Sequence, residues 1–166
     1  MTSGSVIIAL GANLGDPGRQ LRLAFGRLDA LAAEPVRRSS LWETSPVDCP
    51  PGSPKFTNAV VLFTPRPGET PESLLARLQA LEKELGRQPK RVLNEARPLD
   101  LDLIAWAGET RAKPELTLPH PRAHLREFVL RPLAELAPAM VFPGQGESVT
   151  ALLAKLTPDP QFRRVA

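Results

Sequence analysis

The chain of 166 residues contains a single cysteine, Cys49, and this scarcity excludes two kinds of stabilised fold. One cysteine cannot form an intrachain disulfide, and it leaves no set of cysteines for a structural zinc site. Long apolar runs are lacking too, because the longest one near the N-terminus, 6–10, is too short for a membrane span or the core of a signal peptide. We therefore expect a cytoplasmic protein without a membrane partner.

Aromatic residues and excess charge are also scarce. The chain has six Phe, two Trp and no Tyr, and it lacks the aromatic pair on adjacent strands on which RNA-binding sheets stack bases. The formal net charge is only +3, and no clustered basic run accompanies it. This mild excess fits a small anionic ligand such as a nucleotide, and we expect no nucleic-acid partner.

The segment 97–104 reads Arg-Pro-Leu-Asp-Leu-Asp-Leu-Ile, and its alternation has the period of a β-strand. This period places Asp100 and Asp102, called here the aspartate pair, on one face together with Ile104 and Trp106. Two carboxylates at this spacing can ligate the same cations, and their hard oxygens suit Mg²⁺ that carries phosphates. Because Asp-x-Asp is a short pattern, the spacing alone favours a simpler interpretation, an edge strand with one solvated face.

The other patterns predict strands and helices in one domain, 1–166, without an internal repeat or linker.

Asn58 lies in an apolar strand, where a buried amide either ties down a loop or reads the polar edge of a ligand. Segment 87–97 carries four cations, and it is either a solvated surface loop or an arm that closes over an anionic ligand. Strands are predicted at 6–10, 36–43, 56–63 and 97–104, helices from Pro17, from Pro71, at 128–137 and at 148–156, and a frayed polar end after them.

Seven short motifs follow one another along the chain. They are Gly-Ala-Asn-Leu (11–14), Ser-Ser-Leu-Trp-Glu-Thr (39–44), Phe-Thr-Asn-Ala (56–59), Leu-Gly-Arg (85–87), Arg-Pro-Leu-Asp-Leu-Asp (97–102), Leu-Pro-His-Pro (118–121) and Phe-Val-Leu-Arg-Pro-Leu (128–133). In this order the chain resembles the 6-hydroxymethyl-7,8-dihydropterin pyrophosphokinase family over nearly its whole length. The resemblance implies transfer of pyrophosphate from ATP to a pterin alcohol in folate biosynthesis. It also implies an α+β, ferredoxin-like fold, a mainly antiparallel sheet with helices on both faces in three layers, and we expect a monomer.

The same resemblance implies which residues form the site. Asp100 and Asp102 resemble the ligands of two Mg²⁺ ions, and Arg87 and Arg97 resemble catalytic-loop arginines that also contact ATP. The other residues implied on the ATP side are Gln79, Glu82, Leu103, Thr117, His120 and Arg126. Those implied for the pterin pocket are Thr44, Ser45, Val47, Phe56, Asn58 and Phe128, with the two rings stacking on the pterin and Asn58 reading its polar edge.

The sequence departs from the family pattern within 87–97. Pro89 and Asn94 stand where the family often has a further arginine and a tryptophan, and Lys90 or Arg91 can supply the missing charge.

Two other functions stay open from the residues alone. The basic balance and the cationic segment fit a ferredoxin-like module that binds nucleic acid. The Asp-x-Asp pattern also fits a nucleotidyl transferase or cyclase, which would break the α- rather than the β-phosphate bond of a nucleotide. The reaction products distinguish these functions from pyrophosphoryl transfer.

Overall fold

The computed structural model describes residues 4–44, 52, 55–86 and 98–166. Within these ranges a short 3₁₀ turn, Ala123–Leu125, precedes the third of four helices. In chain order the elements are β1 (Val6–Ala12), α1 (Pro17–Asp29), β2 (Arg37–Arg38), β3 (Trp42–Thr44), β4 (Phe56–Phe63), α2 (Pro71–Glu84), β5 (Asp100–Trp106), β6 (Arg111–Lys113), β7 (Leu116–Leu118), α3 (Glu127–Leu136), α4 (Val149–Ala154) and β8 (Arg163–Arg164).

The main sheet has six strands in the described ranges, and all their pairings are antiparallel. Its order is β5-β1-β4-β3-β8, and β2 also pairs with β4. Strands β6 and β7 form a separate antiparallel pair beyond β5. The predicted combination of a mainly antiparallel sheet with helices is confirmed.

Two apolar cores contact the main sheet. The first core contains side chains of α1 and α2, and the second core contains side chains of α3 and α4. Along β1, Val6, Ile8 and Leu10 enter the first core, whereas Ile7 and Ala9 enter the second. All seven residues of β1 are buried, which explains why this central strand is a continuous apolar run in the sequence.

Helices α1 and α2 begin where the sequence predicts. The Asp16 carboxylate accepts a hydrogen bond from the backbone N–H of Arg19 at 3.1 Å, and Pro17 occupies the first helical position. Thr70 and Ser73 cap the start of α2 reciprocally. Such caps satisfy backbone N–H groups that have no partner within the helix.

No helix in the described ranges is long and apolar enough to cross a membrane.

The prediction of one strand at 36–43 is wrong, because this stretch forms two strands, β2 and β3, that both pair with β4. Ser39 lies at the break. Its backbone N–H donates to the carbonyl of Val60 at 2.9 Å, and its hydroxyl accepts from the N–H of Val60 at 2.8 Å. A side chain thus replaces a backbone carbonyl in the ladder and separates the two strands.

Strand β5 contains a β-bulge that moves one predicted residue to the other face. The register with β1 shifts between Ile7 and Ile8, which leaves Ile104 as the extra residue. Ile104 lies in the second core, but Trp106 lies in the first. The prediction that Trp106 shares a face with Ile104 is therefore wrong, since a bulge shifts the alternation by one residue.

The prediction of a frayed C-terminal end is also wrong, because β8 pairs with β3. The backbone N–H of Val165 donates to the carbonyl of Leu41 at 2.8 Å, and the N–H of Leu41 donates to the carbonyl of Ala166 at 3.0 Å. Backbone pairing thus orders this segment although both residues of β8 are exposed arginines.

Candidate active site

One row of residues crosses three neighbouring strands. Gly11 of β1 pairs with Asp100 of β5 on one side and with Asn58 of β4 on the other. Residues opposite one another on adjacent strands project from the same face, and so does Asp102, two residues along β5. Since neighbouring strands lie about 4.8 Å apart, the Cα atoms of Asp100 and Asn58 are separated by about 10 Å.

Gly11 leaves room for the side chain of Asn58. A Cβ atom at position 11 would lie 3.1 Å from the Asn58 Oδ1 atom and 3.9 Å from the ring of Phe56. The first distance is shorter than an ordinary van der Waals contact, so any larger residue would displace the amide. Sequence reasoning gave Gly11 no role in the site, although a glycine inside a strand often marks a close approach of this kind.

The amide of Asn58 joins two strands at the predicted pterin pocket. Asn58 and Thr44 are both buried, and the Asn58 Nδ2 atom donates to the Thr44 hydroxyl at 2.9 Å. This bond ties β3 to β4 and also fixes the orientation of the amide. Phe56 pairs with Thr44 across the strands and is half-buried. The predicted pocket residues Ser45 and Val47 lie outside the described residues.

Phe128 lies in the first turn of α3, whose apolar side chains enter the second core together with Val60 of β4. Asn58 and Phe56 alternate in step with Val60, so they project from the face of the sheet that α3 covers. Phe128 is half-buried, and the guanidinium of Arg126 lies 5.3 Å from its ring centre. The structure thus places Phe128 on the same side of the sheet as Phe56 and Asn58.

Glu82 of α2 holds the strand that carries the aspartate pair. It is buried, and its Oε2 atom accepts a hydrogen bond from the backbone N–H of Leu101 at 2.8 Å. Leu103 has its side chain in the first core, so only its backbone is left to contact a ligand. Asp100 and Asp102 are both half-buried. Two residues predicted on the ATP side, Glu82 and Leu103, therefore lie beside the aspartate pair.

His120 reaches β5 at the bulge. Its backbone N–H donates to the carbonyl of Ile104 at 2.7 Å, and its Nδ1 atom accepts from the backbone N–H of Arg122 at 3.2 Å. Burial lowers the pKa of His120 from its ordinary value, and the positive charges of Arg126 and Arg122 lower it further. The two hydrogen bonds hold His120 close to β5, and its surroundings disfavour the positively charged imidazole.

The remaining residues predicted on the ATP side are less closely tied to β5. Gln79 is exposed on α2, one turn before Glu82. Thr117 is exposed on β7, and its hydroxyl donates to the carbonyl of Lys113 at 3.3 Å. The predicted catalytic arginines, Arg87 and Arg97, lie outside the described residues.

The sequence of the chain matches a known protein family. Residues 7–138 match the family model of 7,8-dihydro-6-hydroxymethylpterin-pyrophosphokinase (HPPK). The chain belongs to this family. A 2-amino-4-hydroxy-6-hydroxymethyldihydropteridine pyrophosphokinase of Haemophilus influenzae is 38% identical over 137 residues, which cover 82% of this chain and 83% of that relative. A protein of the same name from Synechocystis is 36% identical over 150 residues, which cover 90% of this chain and 75% of the relative.

Solved HPPK structures share the fold. An HPPK-DHPS crystal structure in complex with substrates is similar with a TM-score of 0.70 over 93% of this chain and 43% of that chain, at 10% sequence identity. A Plasmodium falciparum HPPK-DHPS structure is similar with a TM-score of 0.65 over 93% of this chain and 44% of that chain, at 12% identity. At these identities the likeness shows the fold alone.

The donor set of the aspartate pair fits Mg²⁺ that arrives with a nucleotide. Within the described part of the chain, no group of three or more His, Cys, Asp or Glu side chains could hold a metal ion. Mg²⁺ commonly binds one or two carboxylates and keeps water or substrate phosphates as its other ligands. Two half-buried carboxylates on one face of a strand meet that requirement.

Proposed function

We propose that this chain carries out the reaction of the HPPK family with the aspartate pair as its magnesium ligands. The reaction transfers pyrophosphate from ATP to the hydroxyl of 6-hydroxymethyl-7,8-dihydropterin, giving AMP and the pterin diphosphate in folate synthesis. The row of Asp100, Gly11 and Asn58 is the observation that supports these roles best. The side chains of Asp100 and Asn58 project from one face of the sheet, as expected if one binds the metal and the other the heterocycle.

Asp100 and Asp102 would hold two Mg²⁺ ions, which supply positive charge to the phosphate oxygens and acidify the substrate hydroxyl. Attack of an alcohol on the β-phosphorus requires mainly alignment and stabilisation of charge. The protein supplies alignment through β5, which is hydrogen-bonded to β1 on one side and to Glu82 on the other. Carboxylates on such a supported strand need little reorganisation when the substrates bind.

The nucleotide would lie beside β5, between α2 and the segment that leads into α3. Glu82, Leu103 and His120 surround this position, and Leu103 would contact the nucleotide through its backbone. Gln79, Thr117 and Arg126 would complete the ATP side. Arg87 and Arg97 would give permanent positive charge and forked donors to the phosphate oxygens.

The pterin would occupy the face of the sheet that α3 covers. Phe56 and Phe128 would stack on the flat heterocycle, and Asn58 would read its polar edge with an amide already oriented by Thr44. Ser45 and Val47 would complete this pocket.

The order of elements supports a ferredoxin-like fold in three layers. From β1 to β5 the chain runs β-α-β-β-α-β when β2 and β3 are taken as one interrupted strand.

We propose further that residues 1–166 form a single domain that acts as a cytoplasmic monomer.

A product analysis tests the proposed function. The purified protein is incubated with ATP, Mg²⁺ and 6-hydroxymethyl-7,8-dihydropterin, and the products are separated by chromatography. We expect AMP and a pyrophosphorylated pterin in equal amounts, and no reaction when a chelator removes Mg²⁺. Release of free pyrophosphate would instead indicate cleavage at the α-phosphate, and absence of any product would contradict the proposal.

A further inference from the structure

The C-terminal segment 159–166 contacts two elements of the proposed pterin pocket. Its strand β8 pairs with β3, and the ring of Phe162 lies beside Trp42 with the ring centres 5.2 Å apart. The segment lies beyond residues 7–138, which match the family. The family match therefore gives it no role.

The N-terminal half of α3 holds this segment through charged groups. Glu127 accepts a hydrogen bond from the backbone N–H of Asp159 at 2.9 Å through one carboxylate oxygen. Its other oxygen accepts from the Arg131 Nε atom at 2.9 Å. The guanidinium of Arg131 in turn lies 5.5 Å from the ring centre of Phe162. We call Glu127, Arg131 and Phe162 the tail clamp.

Glu135, one turn further along α3, fixes β3 to the same helix face. Its carboxylate accepts from the indole N–H of Trp42 at 2.8 Å and from the hydroxyl of Ser40 at 2.7 Å. Trp42 is thus held from α3 through Glu135 and from the C-terminal segment through Phe162. The helix, β3 and the C-terminal segment form one connected group.

We propose that the tail clamp positions the pterin pocket by holding α3 at a fixed distance from β3. This inference rests on the proposed function. Phe128 follows Glu127 in the first turn of α3, and Thr44 is the last residue of β3. A flat ring stacked between two walls requires a fixed gap, because dispersion attraction falls steeply when the gap widens. Phe162 is therefore a positioning residue that never needs to touch the pterin.

The test compares the two substrates by calorimetry in the protein of residues 1–166. For Phe162→Ala we expect the dissociation constant of the pterin alcohol, measured with Mg²⁺ and a non-hydrolysable ATP analogue, to rise about fivefold, as for loss of one aromatic contact. The dissociation constant of the ATP analogue should stay within about twofold. Phe162→Tyr, which keeps the ring, should restore pterin affinity, and Glu127→Gln should weaken it by a smaller factor.

Two controls separate positioning from general destabilisation. Val165→Ala changes an exposed residue of the same segment and should leave both affinities unchanged. Leu28→Val loosens the first core and should lower thermal stability without a selective loss of pterin binding. If the wild-type protein turns over, then unchanged pterin affinity in Phe162→Ala, or an equal loss of affinity for both ligands, would overturn the positioning role of the tail clamp. Absence of turnover in the wild-type protein would instead overturn the proposed function and, with it, this inference.

Discussion

The Oε2 atom of Glu82 accepts a hydrogen bond from the backbone N–H of Leu101 at 2.8 Å, at the residue between the two aspartates of β5. Leu101 lies opposite Leu10 of β1, and its N–H points away from β1 and toward α2. The carboxylate thus serves as the partner that a further strand would supply on this side of β5. Helix α2, which carries Glu82, thus supports the strand of the aspartate pair from the side opposite β1.

Removing this acceptor should cost both stability and turnover. Glu82→Ala leaves a buried N–H without its acceptor, which should lower the free energy of unfolding by about 1–3 kcal/mol. Glu82→Gln keeps an oxygen acceptor and should lose less. Urea unfolding and steady-state kinetics measure the two effects. Glu84→Ala, at an exposed position near the end of the same helix, is the control, and equal stability of Glu82→Ala and this control would contradict the role of Glu82.

The aspartate pair should be required for turnover and not for folding. Asp100→Asn or Asp102→Asn removes a ligand charge that we expect to contribute several kcal/mol in the transition state, so the rate should fall by about a thousandfold or more. Stability should be unchanged or higher, since a repulsion between like charges is relieved. Glu109→Gln, which removes the charge of a half-buried carboxylate just beyond β5 that pairs with Arg111, serves as the control. Near-normal turnover of either purified variant at saturating Mg²⁺ would refute the metal assignment.

Gly11 should be intolerant of even the smallest side chain. In Gly11→Ala the new Cβ atom, 3.1 Å from the Asn58 Oδ1 atom, would push the amide away from its bond to Thr44. We expect weaker binding of the pterin alcohol and little change in ATP binding. Gly26→Ala is the matched control, because nothing lies within 4 Å of a Cβ there. Gly26 is an exposed position inside α1, so this change should stabilise the protein by about 0.5–1 kcal/mol. Similar pterin affinities in both variants would mean that the crowding at Gly11 does not matter.

The ring of Phe128 should matter for one substrate only. Phe128→Ala removes the proposed stack, which should contribute about 1 kcal/mol beyond buried area, so pterin binding should weaken much more than binding of an ATP analogue. Calorimetry with each ligand separates the two effects. Equal losses for both ligands would show that Phe128 is only a packing residue of α3.

The sequence predicts those parts of the fold that local pattern determines. Period and caps are local properties, so the apolar run of β1, the start of α1 at Pro17 and the start of α2 at Pro71 could all be predicted. The bulge at Ile104 could not, because residues 103–106 are all apolar and no alternation in the sequence shows which face each of them takes. The pairing of β8 depends on an edge of β3 that is distant in sequence, and two exposed arginines give no apolar signal for it.

The candidate site shows the same division. Strand period and a short motif make Asp100 and Asp102 candidates, and its position in an apolar run makes Asn58 one, but their roles come from the family resemblance and stay predictions. The support of Leu101 by Glu82 and the crowding of Asn58 at Gly11 arise from register between strands and from packing of α2, which no single segment encodes. Roles such as those of Phe56 and Phe128 came from the family resemblance and stay predictions.

His120 should make stability depend on pH below neutrality. Its pKa is lowered in the folded protein by burial and by the charges of Arg126 and Arg122, so the unfolded chain takes up a proton at a higher pH than the folded one. The stability linked to neutral His120 is present above its unfolded pKa of about 6.5 and is lost as pH falls through the folded value. In His120→Gln the free energy of unfolding should fall less steeply as the pH decreases over that range, because up to one proton fewer is taken up on unfolding. Urea unfolding at a series of pH values measures it, with His124→Gln as the variant that removes the other histidine. Equal slopes for His120→Gln and the wild type would show that protonation of His120 does not oppose folding.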